Sequence, residues 1–326
     1  MIDMSLSTFA LAQAWLFEHL VQPALYALGL ARYGELAFDG VEWFLIGVLE
    51  VIALWLVLAP LERWRPAQAI ADQRQVLTDV IYTLVHRLGA FALIAFAFVQ
   101  PLADDIEGAL RYAGIDRFDL DALWPGVTDI AWVSFLLYLV LFDFVDYWLH
   151  RGQHTLHWWW QLHALHHSQR DMTFWADQRN HVLDDLIRDA VFALLAVAIG
   201  VPPEQFVALV VASRVLQSVQ HANVRLHFGP FERVLVSPRF HRRHHAIGVG
   251  HEGASGSAKQ WGVNFAVLFP VWDVLFRTAD FSAGYPATGV RDQLPGQSPR
   301  FPTGRDYGRG FWSQQWIGLK RLLNRA

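Results

Sequence analysis

Long apolar segments constrain the fold of this chain more than any other feature of its sequence. Three segments, 41–60, 77–102 and 129–150, are mostly apolar over at least the length of about 20 residues that a helix needs to cross a bilayer. Two further apolar runs, 9–30 and 190–221, are interrupted by proline or charged residues. The pattern predicts an all-α, integral membrane helical bundle.

The composition supports a membrane protein and limits its chemistry. Of the 326 residues, 54% are hydrophobic and 17% are charged, whereas soluble domains carry about 25% charged residues. The net charge of -4 gives no reason to expect a nucleic-acid partner. Because the chain has no cysteine, disulfides, thiolate zinc sites and iron–sulfur clusters are excluded, and any metal must bind histidine or carboxylate. The N-terminus lacks the basic region of a cleaved signal peptide.

The interrupted runs predict elements that do not simply cross the membrane. Pro23, with Glu18 and His19, makes 9–30 a kinked span or an interfacial helix. The run 190–221 has two apolar arms that are short for a span, separated by Gly200 and a Pro-Pro pair. We interpret it as a helical hairpin that dips into the membrane and returns on the same side.

Charges in the loops predict the orientation of the spans. The loop 63–76 carries three arginines, the loop 103–128 is acidic, and the segments after residue 150 are rich in arginine. By the positive-inside rule, loop 63–76 and every histidine cluster lie on the cytoplasmic side. In a bacterium, the membrane would be the plasma (inner) membrane.

Three histidine clusters predict a site for two metal ions. Each cluster has spacings of three or four residues, which place its imidazoles on one helix face, as in the HExxH zinc helix. Eight nitrogen donors exceed the three or four ligands of a single zinc ion. Imidazole suits zinc, copper, iron and nickel rather than magnesium or calcium. The clusters are His150 and His154; His163, His166 and His167; and His241, His244 and His245.

Further candidates flank these clusters. His181 and His221 border the apolar hairpin and would complete the metal site. Asp143 and Asp146 precede His150 at helical spacing, and Asp184 follows His181. We expect these carboxylates to accept the second N–H of metal-bound imidazoles and so to orient the rings. Isolated histidines are more often simple packing or surface residues, which is our interpretation of His19, His86, His157 and His227.

The pattern HxxxH at 150–154, followed by HxxHH at 163–167 and 241–245, resembles the three histidine boxes of the fatty acid hydroxylase/sterol desaturase superfamily. "SPRFHRRHH" and "VWDVLFRT" resemble the third box and the segment that follows it, and "RNHVLD" resembles a further ligand-bearing stretch that includes His181. Arg277 stands where the family pattern has glycine. The resemblance covers about 130–280.

This resemblance implies integral-membrane, non-haem di-iron enzymes that hydroxylate or desaturate a lipid, such as a fatty acyl chain or sterol, with dioxygen. The cofactor would be two iron ions, which zinc could replace in a purified sample. Electrons would come from a separate ferredoxin or cytochrome-type donor, because the chain shows no nucleotide, haem or cluster motif. We expect a membrane-spanning region at 1–128, a catalytic region at 129–280 with a cytoplasmic histidine-rich cap that holds the dimetal site, and a cytoplasmic tail at 281–326.

Three other functions compete with this interpretation. A membrane metal-binding or metal-transport protein would also cluster histidines, but its ligands should lie near the middle of the bilayer. A zinc-dependent hydrolase would carry a glutamate base beside its metal helix, and none of the boxes has one. A catalytically dead lipid-binding relative would have lost part of a box, and all three boxes are intact.

Overall fold

The structure, a computed structural model, describes residues 2–115, 118–249 and 262–323. In these residues every regular element is helical. The helices are α1 (Ile2–Leu16), α2 (Gln22–Ala27), α3 (Gly34–Trp64), α4 (Gln73–Arg87), α5 (Ala90–Tyr112), α6 (Ala131–Thr155), α7 (His157–His167), α8 (Val182–Ile199), α9 (Pro203–His221), α10 (Pro238–His244), α11 (Val271–Leu275) and α12 (Phe311–Leu322). A π-helical turn covers Phe17–Val21, and 3₁₀ turns cover Ala31–Tyr33, Asp121–Leu123, Phe174–Gln178, Gly229–Arg233 and Arg291–Gln293.

Two helices in the described ranges are long and apolar enough to cross a membrane, as judged by length and composition. They are Ala31–Trp64, which contains α3, and Ala131–Thr155, which is α6. The first contains the predicted span 41–60, and the second covers all but the first two residues of the predicted span 129–150. α3 leaves Leu49, Leu56 and Val57 more than half exposed, which is the face that a helix turns toward lipid. The N-terminal run 9–30 changes from α1 through the π-helical turn into α2.

The prediction of one span at 77–102 is wrong. α4 ends at Arg87 and α5 begins at Ala90, with Gly89 between them in a left-handed conformation (φ +88°). The Arg87 guanidinium is buried, where it pairs with Glu50 of α3 and donates to Asp177 at 2.9 Å. A helix with lipid on all sides could not hold this cation. The chain therefore turns here and packs Arg87 against its partners.

Helices α8 and α9 form the predicted helical hairpin. α8 ends at Gly200, whose φ of +69° is left-handed, and Pro202 starts α9. The hairpin lies along α6, because Leu209 packs in a buried cluster with Tyr138 and Leu139 and because the Tyr138 hydroxyl donates to the Gly200 carbonyl at 3.4 Å. The base of the hairpin therefore lies at the C-terminal end of α6, where the first histidine box is.

Buried apolar clusters join the remaining elements. One connects α3 to the 3₁₀ turn Phe174–Gln178 and to the end of α9, and another connects α6 and α10 to the segment 265–281. A third packs Trp160 of α7 against Val290 and Tyr307. The segment 281–326, predicted as a tail, thus packs on α7 through its described residues, and α12 contacts the same helix. Of the three consecutive tryptophans 158–160, only Trp158 is exposed.

Gly47 allows α3 to approach α4 closely. A Cβ atom there would lie 1.7 Å from the Arg87 carbonyl oxygen, whereas nothing lies within 4 Å of one built at Gly40 of the same helix. We expect Gly47→Ala to destabilise the protein by about 1–3 kcal/mol through overpacking. Gly40→Ala should be neutral or slightly stabilising. Thermal unfolding of the two variants in detergent micelles measures the difference, and equal melting temperatures would contradict the close approach.

Candidate metal centre

Four separate elements bring eight imidazoles to one place. The eight imidazoles form two adjacent groups of four buried histidines. In each group one ring nitrogen per residue lies within 4.8 Å of the others. The His167 and His245 rings stack with centroids 4.3 Å apart, so the groups share a border. The first group is His150, His154, His167 and His244; the second is His166, His221, His241 and His245.

Local sequence explains how each helix presents its histidines. α6 continues through His150 and His154, and then Leu156 adopts an extended conformation that turns α7 back onto α6. α10 begins where the Ser237 hydroxyl accepts the Phe240 N–H at 3.1 Å, with Pro238 in the first turn. This is a standard N-cap arrangement.

Backbone carbonyls fix the tautomer of three rings. Nδ1 of His150 lies 2.7 Å from the Phe265 carbonyl oxygen, Nδ1 of His244 lies 2.7 Å from that of Val263, and Nδ1 of His221 lies 2.8 Å from that of Gln217. A carbonyl can only accept, so each Nδ1 carries the proton. Each Nε2 then keeps its lone pair and is the atom that could bind a metal ion.

The nitrogens face one another at distances that suit metal ligands. The Nε2 atoms of His221 and His241, of His241 and His245, and of His167 and His244 are 3.1 Å apart, and those of His166 and His221 are 3.2 Å apart. Nitrogens bound to one tetrahedral ion at 2.0–2.1 Å lie about 3.3 Å apart. The donor set therefore fits transition-metal ions. With only nitrogen donors, it does not suit magnesium or calcium.

Burial keeps these rings neutral. Desolvation, with further contributions from neighbouring imidazoles, lowers the pKa of His166, His241 and His245 well below the usual 6.5. Neutral imidazole is the form that coordinates a metal ion. These three rings are therefore in the protonation state that can bind a metal ion at neutral pH.

His163 lies between the two groups and is oriented by a carboxylate. Asp184 accepts His163 Nδ1–H at 3.0 Å, and its other oxygen accepts from Gln153 at 2.7 Å and from the Trp159 indole at 2.6 Å. The buried Nε2 of His163 has no hydrogen-bond partner in the described part of the chain. Its ring centroid is 5.0 Å from His154 and 5.2 Å from His166. His163 is thus placed to supply a ninth nitrogen.

His181 is not brought to either group. Its Nε2 lies 2.9 Å from the Gln315 carbonyl, and its Nδ1 accepts the Leu183 N–H at 3.2 Å, so both ring nitrogens are used at the start of α8. The prediction placed Asp184 beside His181, but the structure places it on His163. His221, the other flanking histidine, is inside the second group.

Within the described residues neither Asp143 nor Asp146 contacts an imidazole, contrary to the expectation from the sequence. Asp146 forms a bidentate pair with Arg188, with the Arg188 Nε 2.9 Å from a carboxylate oxygen. Asp143 accepts the backbone N–H groups of Leu268 and Phe269 at 2.7 and 3.0 Å and the Trp272 indole N–H at 2.8 Å. Asp143 therefore holds the segment whose carbonyls orient His150 and His244.

Asp273 is a functional residue that the sequence reasoning missed. Its buried carboxylate accepts the N–H groups of Phe265 and Ala266, both at 2.8 Å, and the Thr278 hydroxyl at 2.6 Å. It fixes the same segment from the other side. The "VWDVLFRT" stretch contained this signal, but only as part of the family resemblance.

The comparisons with known proteins agree with this geometry. A model of the family described as Fatty acid hydroxylase matches residues 135–278. Residues 135–278 therefore resemble the fatty acid hydroxylase family. An ornithine lipid hydroxylase from Rhizobium tropici is 26% identical over 265 residues, which are 79% of this chain and 74% of the relative. The resemblance inferred from the histidine boxes is confirmed.

More distant fatty acid hydroxylase relatives match a shorter segment. Human alkylglycerol monooxygenase is 28% identical over 152 residues, which are 46% of this chain and 31% of the relative. A very-long-chain aldehyde decarbonylase from Oryza sativa subsp. indica is 27% identical over 156 residues, 43% of this chain and 22% of the relative. The matches thus span less than a third of these two proteins. No solved structure matches the chain.

Metal analysis tests the two groups separately. We expect the purified protein to bind two transition-metal ions per chain, measured by inductively coupled plasma mass spectrometry. His154→Ala removes a ligand of the first group and His245→Ala a ligand of the second, so each variant should hold at most one ion. His227, which is exposed and outside both groups, provides the control His227→Ala. Two ions retained by His154→Ala or His245→Ala would contradict the assignment.

Proposed function

We propose that this protein is a membrane-bound, iron-dependent oxygenase that hydroxylates a lipid. The observation that carries the proposal is the pair of four-histidine groups, one of which opens into a cavity of about 440 Å³ with apolar walls. Phe142, Phe192, Phe206 and Leu209 line the cavity, as do His166, His221 and His241. A lipid that enters this cavity reaches the histidine groups.

Iron bound by the nine histidines would supply dioxygen activation and the oxidation of an unactivated C–H bond. The overall reaction inserts one oxygen atom into a C–H bond. It reduces the other atom to water with two protons and with two electrons from a separate ferredoxin or cytochrome-type donor. The chain itself positions the ligands and keeps the reacting carbon away from bulk water.

Residues of the chain perform the positioning. The carbonyls of Val263 and Phe265 and the carboxylate of Asp184 hold three imidazoles with Nε2 directed inward. The cavity walls from α6, α8 and α9 orient the lipid and exclude water. Hydroxylation is favoured over desaturation because the relatives with known names include a lipid hydroxylase and alkylglycerol monooxygenases. Ornithine lipid, named in the first of these relatives, is the first substrate to test.

The proposed setting is a membrane, with α3 and α6 as spans and the histidines on the cytoplasmic side. His150 and His154 lie in the last two turns of α6, so the metal centre would sit at the membrane surface beneath the base of the α8–α9 hairpin. Metal transport is the second candidate, because histidines also suit metal passage. Ligands at the end of a span rather than near its centre favour the oxygenase.

Lipid analysis of cells that express the protein tests the oxygenase. With the wild type and His227→Ala, we expect one lipid class to gain a single oxygen atom, and the atom should be labelled when heavy dioxygen is supplied. His166→Ala should abolish the product. Absence of any oxygenated lipid from cells whose protein binds iron and receives electrons would reject the function. Metal uptake without lipid oxidation would favour transport.

A further inference from the structure

The cavity beside the metal centre also contains charged residues. Arg188, Asp189 and Arg214 line it together with apolar side chains. Arg188 is neutralised by its bidentate pair with Asp146, and Asp185, which also lines the cavity, is paired with His86 at 2.9 Å. These pairs are complete without a ligand. The other two charged residues, Asp189 and Arg214, have no such direct ion pair.

Arg214 and Asp189 lack such partners. Within 2–115, 118–249 and 262–323, the Arg214 side chain has one hydrogen bond, from Nη2 to the His86 carbonyl at 3.1 Å, and no ion pair with a carboxylate. Over the same ranges the Asp189 carboxylate accepts no hydrogen bond, and the positive charges of Arg188 and Arg214 act on it only at longer range. Charges removed from bulk water are unfavourable unless they are paired and hydrogen-bonded. A cavity with one unpaired cation and one unpaired anion suits a ligand that carries both opposite charges.

The order of residues along α9 places these charges relative to the metal ligands. Phe206 and Val210, near the tip of the hairpin, are followed by Arg214, then by Gln217, and then by His221 of the second histidine group, and all five line the cavity. Arg214 and His221 are seven residues apart, which is two helical turns and about 10.5 Å on one face. The cation therefore lies between the apolar part of the cavity and the metal centre.

Helix α8 repeats this order in the opposite direction. Asp184, at its start, contacts His163, while Asp189 lies five residues later, about 7.5 Å along the axis. Phe192 and Ala193 follow toward the tip and line the apolar part of the cavity. From base to tip, α9 thus places a histidine of the second group, then Arg214, then apolar residues. In the same direction α8 places Asp184, which contacts His163, then Asp189, then apolar residues.

We propose that Arg214 and Asp189 bind the anionic and ammonium groups of a zwitterionic lipid headgroup. The acyl chain would extend toward the hairpin tip, so the headgroup, rather than the far end of the chain, would lie next to the metal centre. The oxygen atom would enter the headgroup or a carbon close to it. This inference rests on the proposed lipid hydroxylase function and adds the substrate class, the residues that select it and the position of oxidation.

Binding measurements test the headgroup site without turnover. The probes are N-palmitoyl-ornithine, which has a carboxylate and an amine; palmitate, with the carboxylate alone; hexadecylamine, with the amine alone; and lysophosphatidylethanolamine, with a phosphate and an amine. We expect the wild type to bind at least one of the two zwitterions more tightly than either single-charge probe. Comparison of the affinities for the two zwitterions shows whether Arg214 binds a carboxylate or a phosphate. Equal affinity for all four probes would contradict the proposal.

Charge-removing variants should separate the two residues. Asp189→Asn should lower the affinity for hexadecylamine and for the preferred zwitterion by about tenfold or more, because a charge-assisted hydrogen bond is lost. The affinity for palmitate should be unchanged. Arg214→Gln should lower the affinity for palmitate and for the zwitterion but not the affinity for hexadecylamine. Arg214→Lys should recover part of the loss. An equal loss for all probes in both variants, or no loss, would overturn the assignment.

Matched controls and product analysis complete the test. Asp105→Asn on α5 and Arg225→Gln after α9 remove exposed charges outside the cavity and should bind every probe as the wild type does. Tandem mass spectrometry of the oxygenated lipid should locate the new oxygen in the headgroup or beside it. Oxidation at a distant acyl carbon would refute the inference and leave the lipid hydroxylase intact. No oxidation of any lipid, with headgroup selectivity retained, would reject the enzyme function alone.

Discussion

Two buried carboxylates hold the segment on which the metal centre depends. Asp143 of α6 and Asp273 of α11 together accept four backbone N–H groups between residues 265 and 269. The carbonyls of this segment and of Val263 in turn hold His150 and His244. Histidines of the first and third boxes, 94 positions apart along the chain, are therefore oriented by the same piece of backbone. Without that backbone, helical spacing alone would place imidazoles on a face but would not direct their Nε2 atoms to one point.

The geometry would couple metal binding to folding. Eight buried imidazoles from four elements lie with their ring nitrogens close together, away from water. A metal ion would bind several of these nitrogens at once and link α6, α7, α9 and α10. Binding free energy would then be available to the fold, as in structural zinc sites.

Local spacing made part of this arrangement predictable. The three boxes, the break at Gly200 and the two candidate spans follow from short-range patterns of spacing and hydropathy, because imidazoles three and four residues apart share a helix face. Long-range pairing was not predictable in the same way. Asp184 is near His181 in sequence but contacts His163, and Arg87 divides a run that looks like a single span because its partners, Glu50 and Asp177, lie on other elements. A hydropathy pattern carries no information about such partners.

Arg277 shows how a departure from the family pattern can be understood physically. Its φ is +60°, in the left-handed region, where a residue with a Cβ is strained by about 1–2 kcal/mol and glycine is not. The conformation occurs where α11 ends and the Thr278 N–H donates a hydrogen bond to the Asp273 carbonyl oxygen at 2.8 Å. Thr278 also donates its hydroxyl to the Asp273 carboxylate, so the turn is needed to close the bonds that fix the 265–269 backbone. The turn at Arg277 therefore supports the Asp273 contacts that hold the backbone against which His150 is oriented.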